Sequence, residues 1–204
     1  MSSRNLLSLL SLTMLLLCAA CGNSDHEADD RFTELAQHHL ALMLELNPEW
    51  STNLGDHRFD ALVSDLSEKG FQERTDSNRA TLAALQKINP EQLSLANSID
   101  YATLKERCES TVFEITELRE HRWNPTIYNP GDGLYNILAR DYAPLAERLL
   151  AVKSRLAAVP QTLAAARANL DNPPRVMTET AISQNPGVIN LIMDGLQPYL
   201  SQVP

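Results

Sequence analysis

Apolar side chains recur at intervals of three and four along most of the chain, which is the period of one helix face. Phe32, Leu35, Met43 and Leu46 follow this spacing and predict a first helix over 30–47, ended by Pro48. Pro48 also suits the start of a short helical turn that Gly55 would stop. Two further long helices are predicted over 68–89 and 92–121, separated by Pro90.

The second half of the chain continues the helical pattern between segments rich in proline and glycine. Residues 121–136 carry two Asn-Pro pairs and Gly-Asp-Gly, and are predicted to form a loop. A helical stretch follows to residue 170, with Pro144 and Pro160 each expected near a helix start. Residues 171–175 predict a turn, and one or two helices follow it. With no strand pattern present, the sequence predicts an all-α, antiparallel multi-helix array.

The first twenty residues have a different pattern. Arg4 precedes the twelve-residue stretch "LLSLLSLTMLLL", which is too short to span a bilayer but has the length of a signal-peptide core. Small residues follow it, as a cleavage site requires. Residues 1–20 are therefore predicted to be a signal peptide.

Two cysteines, Cys18 and Cys21, end this stretch. No strand pattern places them in a redox motif, and no second ligand pair makes them half of a zinc site. "LCAAC" resembles the lipobox of bacterial lipoproteins, which implies lipid attachment at Cys21, with plain secretion as the alternative. Residues 21–30 would then be a polar tether. Gly22, where a retention signal would have Asp, implies an anchor in the outer membrane, facing the periplasm.

Charge and cysteine count narrow the functional classes. The chain carries 17 Lys+Arg against 26 Asp+Glu, a net charge of −9. An acidic surface argues against nucleic acid and against electrostatic docking to anionic lipid. Cys108 would have no partner after lipidation of Cys21, and is predicted to be a small core residue of a helix.

Catalytic motifs are missing from the sequence. It has no HExxH pair, no phosphate-binding glycine loop and no GxSxG. The adjacent His38 and His39 point in different directions on a helix and cannot form an i, i+4 metal pair. No catalytic residue, metal ligand or cofactor site is therefore assigned within the chain.

Two groups of side chains remain as candidate lining of a cleft. Asp56, His57 and Arg58 form an acid–imidazole group with Asp60, which is either a helix-capping loop or part of a site. The aromatic group is either a plug at the end of the core or a cleft lining; it comprises Trp123, Tyr128 and Tyr135.

Two long stretches, "NPEWSTNLGDHRFDALVSDLS" and "GLYNILARDYAPLAERLLAVKSRLAAVPQTLAAARANLDNPPRV", resemble the bacterial family called domain of unknown function 885. The resemblance implies an exported or lipid-anchored helical protein of the zinc-metallopeptidase type. The family's HExxPGH-type zinc motif lies beyond the matched region.

The chain reaches Pro204 before any such motif. We therefore expect residues 31–204 to be an incomplete N-terminal part, inactive alone. Zinc and a peptide substrate would belong only to a full-length relative. The alternative is a non-enzymatic helical periplasmic lipoprotein that binds a partner or a small ligand.

Overall fold

The computed structural model describes residues 27–202, and helices account for most of them. No strand occurs in this range, so the all-α prediction is confirmed. The helices are α1 (27–46), α2 (Pro48–Leu54), α3 (Glu68–Leu85), α4 (Leu95–Phe113), α5 (Glu120–Trp123), α6 (Gly131–Ala139), α7 (Leu145–Asn169), α8 (Arg175–Asn190) and α9 (Gln197–Leu200). Short 3₁₀ turns cover His57–Phe59, Pro90–Gln92 and Pro125–Tyr128, and π-helical turns cover Glu114–Leu118 and Leu191–Gly195.

The described chain forms two compact units. The first combines residues 27–39 with 78–110, and the second combines 40–77 with 111–202. In the first unit, the ring of Phe32 packs on Tyr101 with centroids 6.0 Å apart, and Cys108 is fully buried, as predicted. All candidate cleft residues lie in the second unit.

The core of the second unit is formed where α6 packs on α7. Leu134, Ile137 and Leu138 of α6 are at most 3% exposed and contact Val152 of α7. Leu196, just before α9, closes the same cluster. Burial of these side chains is the main stabilising contribution of the unit, about 1.5–3 kcal/mol for each fully buried large aliphatic residue.

Local signals end several helices where the sequence predicts. α2 runs from Pro48 to Leu54, and Gly55 stops it in the left-handed conformation with φ 89°. The amide of Gly55 donates to the carbonyl oxygens of Ser51 and Thr52, which satisfies orphan acceptors at the helix end. Pro144 caps the start of α7, as expected.

Pro160 does not start a helix, and this prediction is wrong. It lies inside α7, which continues from Leu145 to Asn169. A proline inside a helix removes one hydrogen bond and costs about 3 kcal/mol. Buried side chains on both sides of it, Arg155 and Ala166 among them, hold the two parts of α7 in the core, and this tertiary packing overrides the local preference.

Other boundaries of helices and loops differ from the predicted ones by a few residues or more. Residues 27–30, which we assigned to the tether, are helical, and Ala28 is 2% exposed. The helix predicted over 92–121 ends earlier, because Arg119 adopts φ 50° after the π-helical turn. The loop predicted over 121–136 contains α5, a 3₁₀ turn and the start of α6. The signal peptide, Cys21 and the tether up to residue 26 lie outside the described residues.

Candidate functional site

The loop after α2 presents the first group of candidate residues. Asp56 caps the 3₁₀ turn by accepting a hydrogen bond from the amide of Arg58. The Arg58 guanidinium also donates to both oxygens of the Asp56 carboxylate, at 2.6–3.1 Å. This fork holds the pKa of Asp56 down at about 2. Arg58 and Asp56 thus satisfy each other at the surface.

Asp60, three residues after His57, is the centre of a buried polar network. It is 7% exposed, and one carboxylate oxygen, Oδ1, accepts a hydrogen bond of 2.6 Å from the Thr52 hydroxyl. Its other oxygen, Oδ2, accepts from the Tyr142 hydroxyl and faces Nδ1 of His57 at 3.0 Å. Burial and the neighbouring Asp60 carboxylate raise the pKa of Tyr142, so the phenol stays a donor. The network joins α2, the following turn and the link before α7.

His57 lies on the outer side of this network. Its ring stacks on the Tyr142 ring, with centroids 3.4 Å apart and planes 2° from parallel. An ionised carboxylate only accepts hydrogen bonds, so the neutral imidazole carries its proton on Nδ1. Nε2 is then an acceptor, and 28% of the side chain is exposed. The fold thus fixes the ring while leaving its outer nitrogen available.

Arg155 supports the network from α7. Its side chain is 2% exposed and donates to the backbone oxygens of Leu62 (3.0 Å), Gly133 (2.6 Å) and Pro48 (3.3 Å). A fourth hydrogen bond of 2.7 Å reaches the Thr52 hydroxyl oxygen. The single proton of the Thr52 hydroxyl has two acceptors within reach, the Asp60 carboxylate at 2.6 Å and the Pro48 carbonyl oxygen at 3.0 Å, and the shorter contact is to Asp60.

A pocket of about 430 Å³ opens beside His57. The loop contributes Arg58, Asp60 and Ala61, and the segment from Tyr142 to Ser154 contributes the opposite wall. Arg148 lies in this wall but is directed into the protein, where it donates to Asp141 and to the last carbonyl oxygens of α6. The uncommitted groups of the pocket include Nε2 of His57 and the exposed carboxylate of Glu147.

The predicted aromatic group is distributed over separate places. Tyr128 is 3% exposed and donates to the carbonyl oxygen of His121 at 2.7 Å, at one wall of a smaller cavity of about 210 Å³. The Trp123 indole N–H donates to the backbone of Leu118 at 2.9 Å. Tyr135 is 57% exposed and lines a groove between α6 and α8. Tyr128 is therefore a core residue, and Tyr135 is a groove residue.

The histidines do not provide a metal site within the described chain. His39 is buried between the Thr81 hydroxyl, 2.9 Å from Nδ1, and the Cys108 thiol, 3.9 Å from Nε2. His121 stacks on Phe71 with centroids 4.2 Å apart. Residues 27–202 contain no group of three or more His, Cys, Asp or Glu side chains placed to hold a metal ion. A catalytic zinc ion needs three protein ligands, so these residues do not fit one.

The described helices also do not include one that is long and apolar enough to cross a bilayer. The chain matches no curated protein significantly.

A solved structure of a candidate lipoprotein of unknown function from Shewanella oneidensis is similar, with a TM-score of 0.80 and 27% sequence identity. The similarity covers 84% of this chain but only 32% of that chain, so this chain spans about a third of the relative's length. The model of the bacterial protein family of unknown function DUF885 matches residues 48–203. The chain therefore belongs to the DUF885 family.

Proposed function

We propose that this chain is the N-terminal helical part of an exported, lipid-anchored protein of the peptidase type, and that it forms one wall of a substrate cleft without supplying catalytic residues. The similarity to the Shewanella protein supports the part of this proposal that makes the chain one piece of a longer, lipid-anchored protein. The peptidase type is what the family resemblance implies. Most of this chain corresponds to a third of a longer candidate lipoprotein, so in that relative the same fold is one part of a larger body.

The lipid anchor is proposed at Cys21, in the outer membrane and facing the periplasm. The apolar stretch before Ala20 and the similarity to a candidate lipoprotein support it. Cys21→Ala should release the protein from the membrane fraction, or leave it uncleaved, and abolish labelling by a radioactive fatty acid. Cys18→Ala is the matched control and should fractionate as the wild type does. Labelling that persists in the Cys21 variant would contradict the anchor.

The peptidase part of the proposal depends on sequence beyond Pro204. The test is to translate the genomic DNA downstream of this codon and to express the longest continuous frame. A His-Glu-x-x-Pro-Gly-His motif, about one zinc per molecule and cleavage of peptide mixtures would support it. A frame that holds no such motif, or a longer protein that binds zinc but cleaves no peptide, would contradict it.

A second candidate function is non-enzymatic binding of a small ligand. The pocket beside His57 favours it, because it joins a cavity of about 430 Å³ to a ring that the protein holds rigidly. Ligand pockets combine apolar walls with a few fixed polar groups in this way. A screen of small metabolites by thermal shift tests this function. The Glu147→Gln variant should reduce any stabilisation that a ligand in the pocket produces, while Glu106→Gln, at an exposed position in the first unit, should leave it unchanged.

A further inference from the structure

We propose that the pocket beside His57 binds a primary ammonium group, either of a free amine or of a peptide N-terminus. The inference rests on the second candidate function and deepens it, because it names the chemistry of the ligand. Some polar atoms of the pocket already bind other protein groups, and the remaining ones decide which ligand fits.

The two positively charged side chains that line the pocket already form hydrogen bonds with other groups of the protein. Arg58 uses Nε and Nη2 on the Asp56 carboxylate, at 2.6–3.1 Å. Arg148 uses Nε, Nη1 and Nη2 on three backbone carbonyl oxygens and on Asp141. Both positive charges are therefore matched by carboxylates, and an anionic ligand would have to compete for them.

The acceptors of the pocket are not committed in the same way. In the neutral form of His57, Asp60 holds the ring proton on Nδ1, so Nε2 offers a lone pair. The carboxylate of Glu147 is exposed on the opposite wall and has no hydrogen-bond donor or cation as a partner among residues 27–202. An ammonium group has three donors and no acceptor, so its chemistry matches both of these groups.

The charges and the apolar surfaces of the pocket also favour an ammonium ligand. A positive charge in the pocket is attracted by Glu147 and, over a longer distance, by the buried carboxylate of Asp60. Ala61, Leu150 and Ala151 provide small apolar surfaces for a short hydrocarbon body next to the ammonium. The hydroxyl group of Ser154 can act as a further acceptor at the rim.

The test is a titration of the full, ¹⁵N-labelled chain, with the amide signals of Ala61 and Ala151 as the readout. Butylamine represents a free amine, and alaninamide represents a peptide N-terminus. N-acetylalaninamide has the same body without the charge, and acetate has the opposite charge. We expect millimolar binding for at least one of the two amines, which is weaker than the roughly micromolar limit that about 1.5 kcal/mol per heavy atom sets for ligands of five or six heavy atoms.

Variants separate the pocket from the rest of the surface. Glu147→Gln removes one negative charge at an exposed site and should weaken amine binding about twofold to fivefold, the range of an exposed ion pair. His57→Phe keeps a flat ring against Tyr142 but removes the Nε2 acceptor, and should weaken amine binding by a similar factor. Glu106→Gln, the same change on an exposed face of α4, should leave binding unchanged. Thermal melts confirm that each variant is folded.

The outcomes are distinct. Binding of butylamine but not alaninamide identifies a free amine as the ligand class, and the reverse identifies a peptide N-terminus. Equal binding of the acetylated compound, or a preference for acetate, would overturn the ammonium proposal while leaving a ligand pocket. If no probe shifts the amide signals of Ala61 and Ala151, both the ammonium proposal and the ligand-binding function are contradicted.

Discussion

Replacing Arg155 with methionine should destabilise the second unit strongly, because the substitution removes hydrogen bonds and not because it removes apolar contacts. Arg155 donates four hydrogen bonds from a position that is 2% exposed, to α2, to α6 and to the loop that carries Asp60. Methionine can fill part of the volume but cannot donate. The carbonyl oxygens of Leu62 and Gly133 and the hydroxyl oxygen of Thr52 would each lose a donor, whereas the Pro48 carbonyl oxygen keeps the Thr52 hydroxyl within reach at 3.0 Å.

The expected size follows from these three acceptors. An unsatisfied buried acceptor costs about 1 kcal/mol or more, which gives a loss of about 3 kcal/mol. The relief of a desolvated charge offsets part of this loss, and burial does lower the pKa of Arg155. We therefore expect a net loss of about 2–3 kcal/mol, a large share of the 5–15 kcal/mol typical of a domain.

The assay is urea unfolding followed by circular dichroism. With a slope of about 2 kcal/mol/M, the midpoint should fall by about 1–1.5 M. Arg175→Met is the matched control, since Arg175 is exposed and pairs only with Glu179 within α8. That change should cost less than about 0.5 kcal/mol. Equal midpoints for the two variants would refute the reasoning.

Arg155→Lys separates the charge from the planar group. Lysine keeps the positive charge but cannot reach four acceptors in the geometry of a guanidinium. We expect a stability between wild type and the methionine variant. Full stability in the lysine variant would mean that the charge beside Asp60, and not the fork of donors, stabilises this part of the protein.

Three further predictions concern other parts of the chain. Gly55→Ala should cost about 1 kcal/mol in unfolding free energy, because φ 89° strains any side chain, and Gly55→Asn should cost less. Burial raises the pKa of Cys108 to about 11, so in a chain with Cys18 and Cys21 replaced by Ala a thiol reagent at pH 8 should react with Cys108 only at the rate of unfolding. Immediate reaction of this folded variant would contradict the prediction. Burial lowers the pKa of His39 and His121, so the unfolded chain binds more protons below pH 6.5, and stability should fall as the pH drops from 7 towards 5. Urea midpoints across this range should fall less in His39→Gln than in wild type.

The elements that the sequence predicts correctly depend on neighbouring residues. α2 is an example: Pro48 favours the first helical turn, and Gly55 alone can end the helix with a left-handed residue. The same local reasoning is wrong for Pro160. No residue close to it in sequence shows that Arg155 and Ala166 will both be buried and will hold one continuous helix across the proline.

The candidate site was visible in the sequence only in part. His57 and Asp60 are three residues apart, so their contact could be expected from the "DHRFD" segment. Tyr142, which completes the group, is 82 residues beyond Asp60, and Arg155 is 103 residues beyond Thr52. Tyrosine and arginine are common on helical surfaces, and nothing in their immediate sequence distinguishes these two. Only the packing of α7 on α6, and of α6 on α2, brings them to the network around Asp60.

The two sides of the Asp60 network should therefore respond differently to substitution. A buried carboxylate is costly unless it is hydrogen-bonded, and Asp60 faces the Thr52 and Tyr142 hydroxyls and His57, with Arg155 one bond further away. The hydroxyl groups of Thr52 and Tyr142 are needed to keep this buried charge hydrogen-bonded, so substitutions of these residues should alter the stability of the fold. Nε2 of His57 is the one ring nitrogen that the network does not use. Changes that remove it should affect binding in the pocket beyond any loss of stability, and this difference separates a functional role of His57 from a purely structural one.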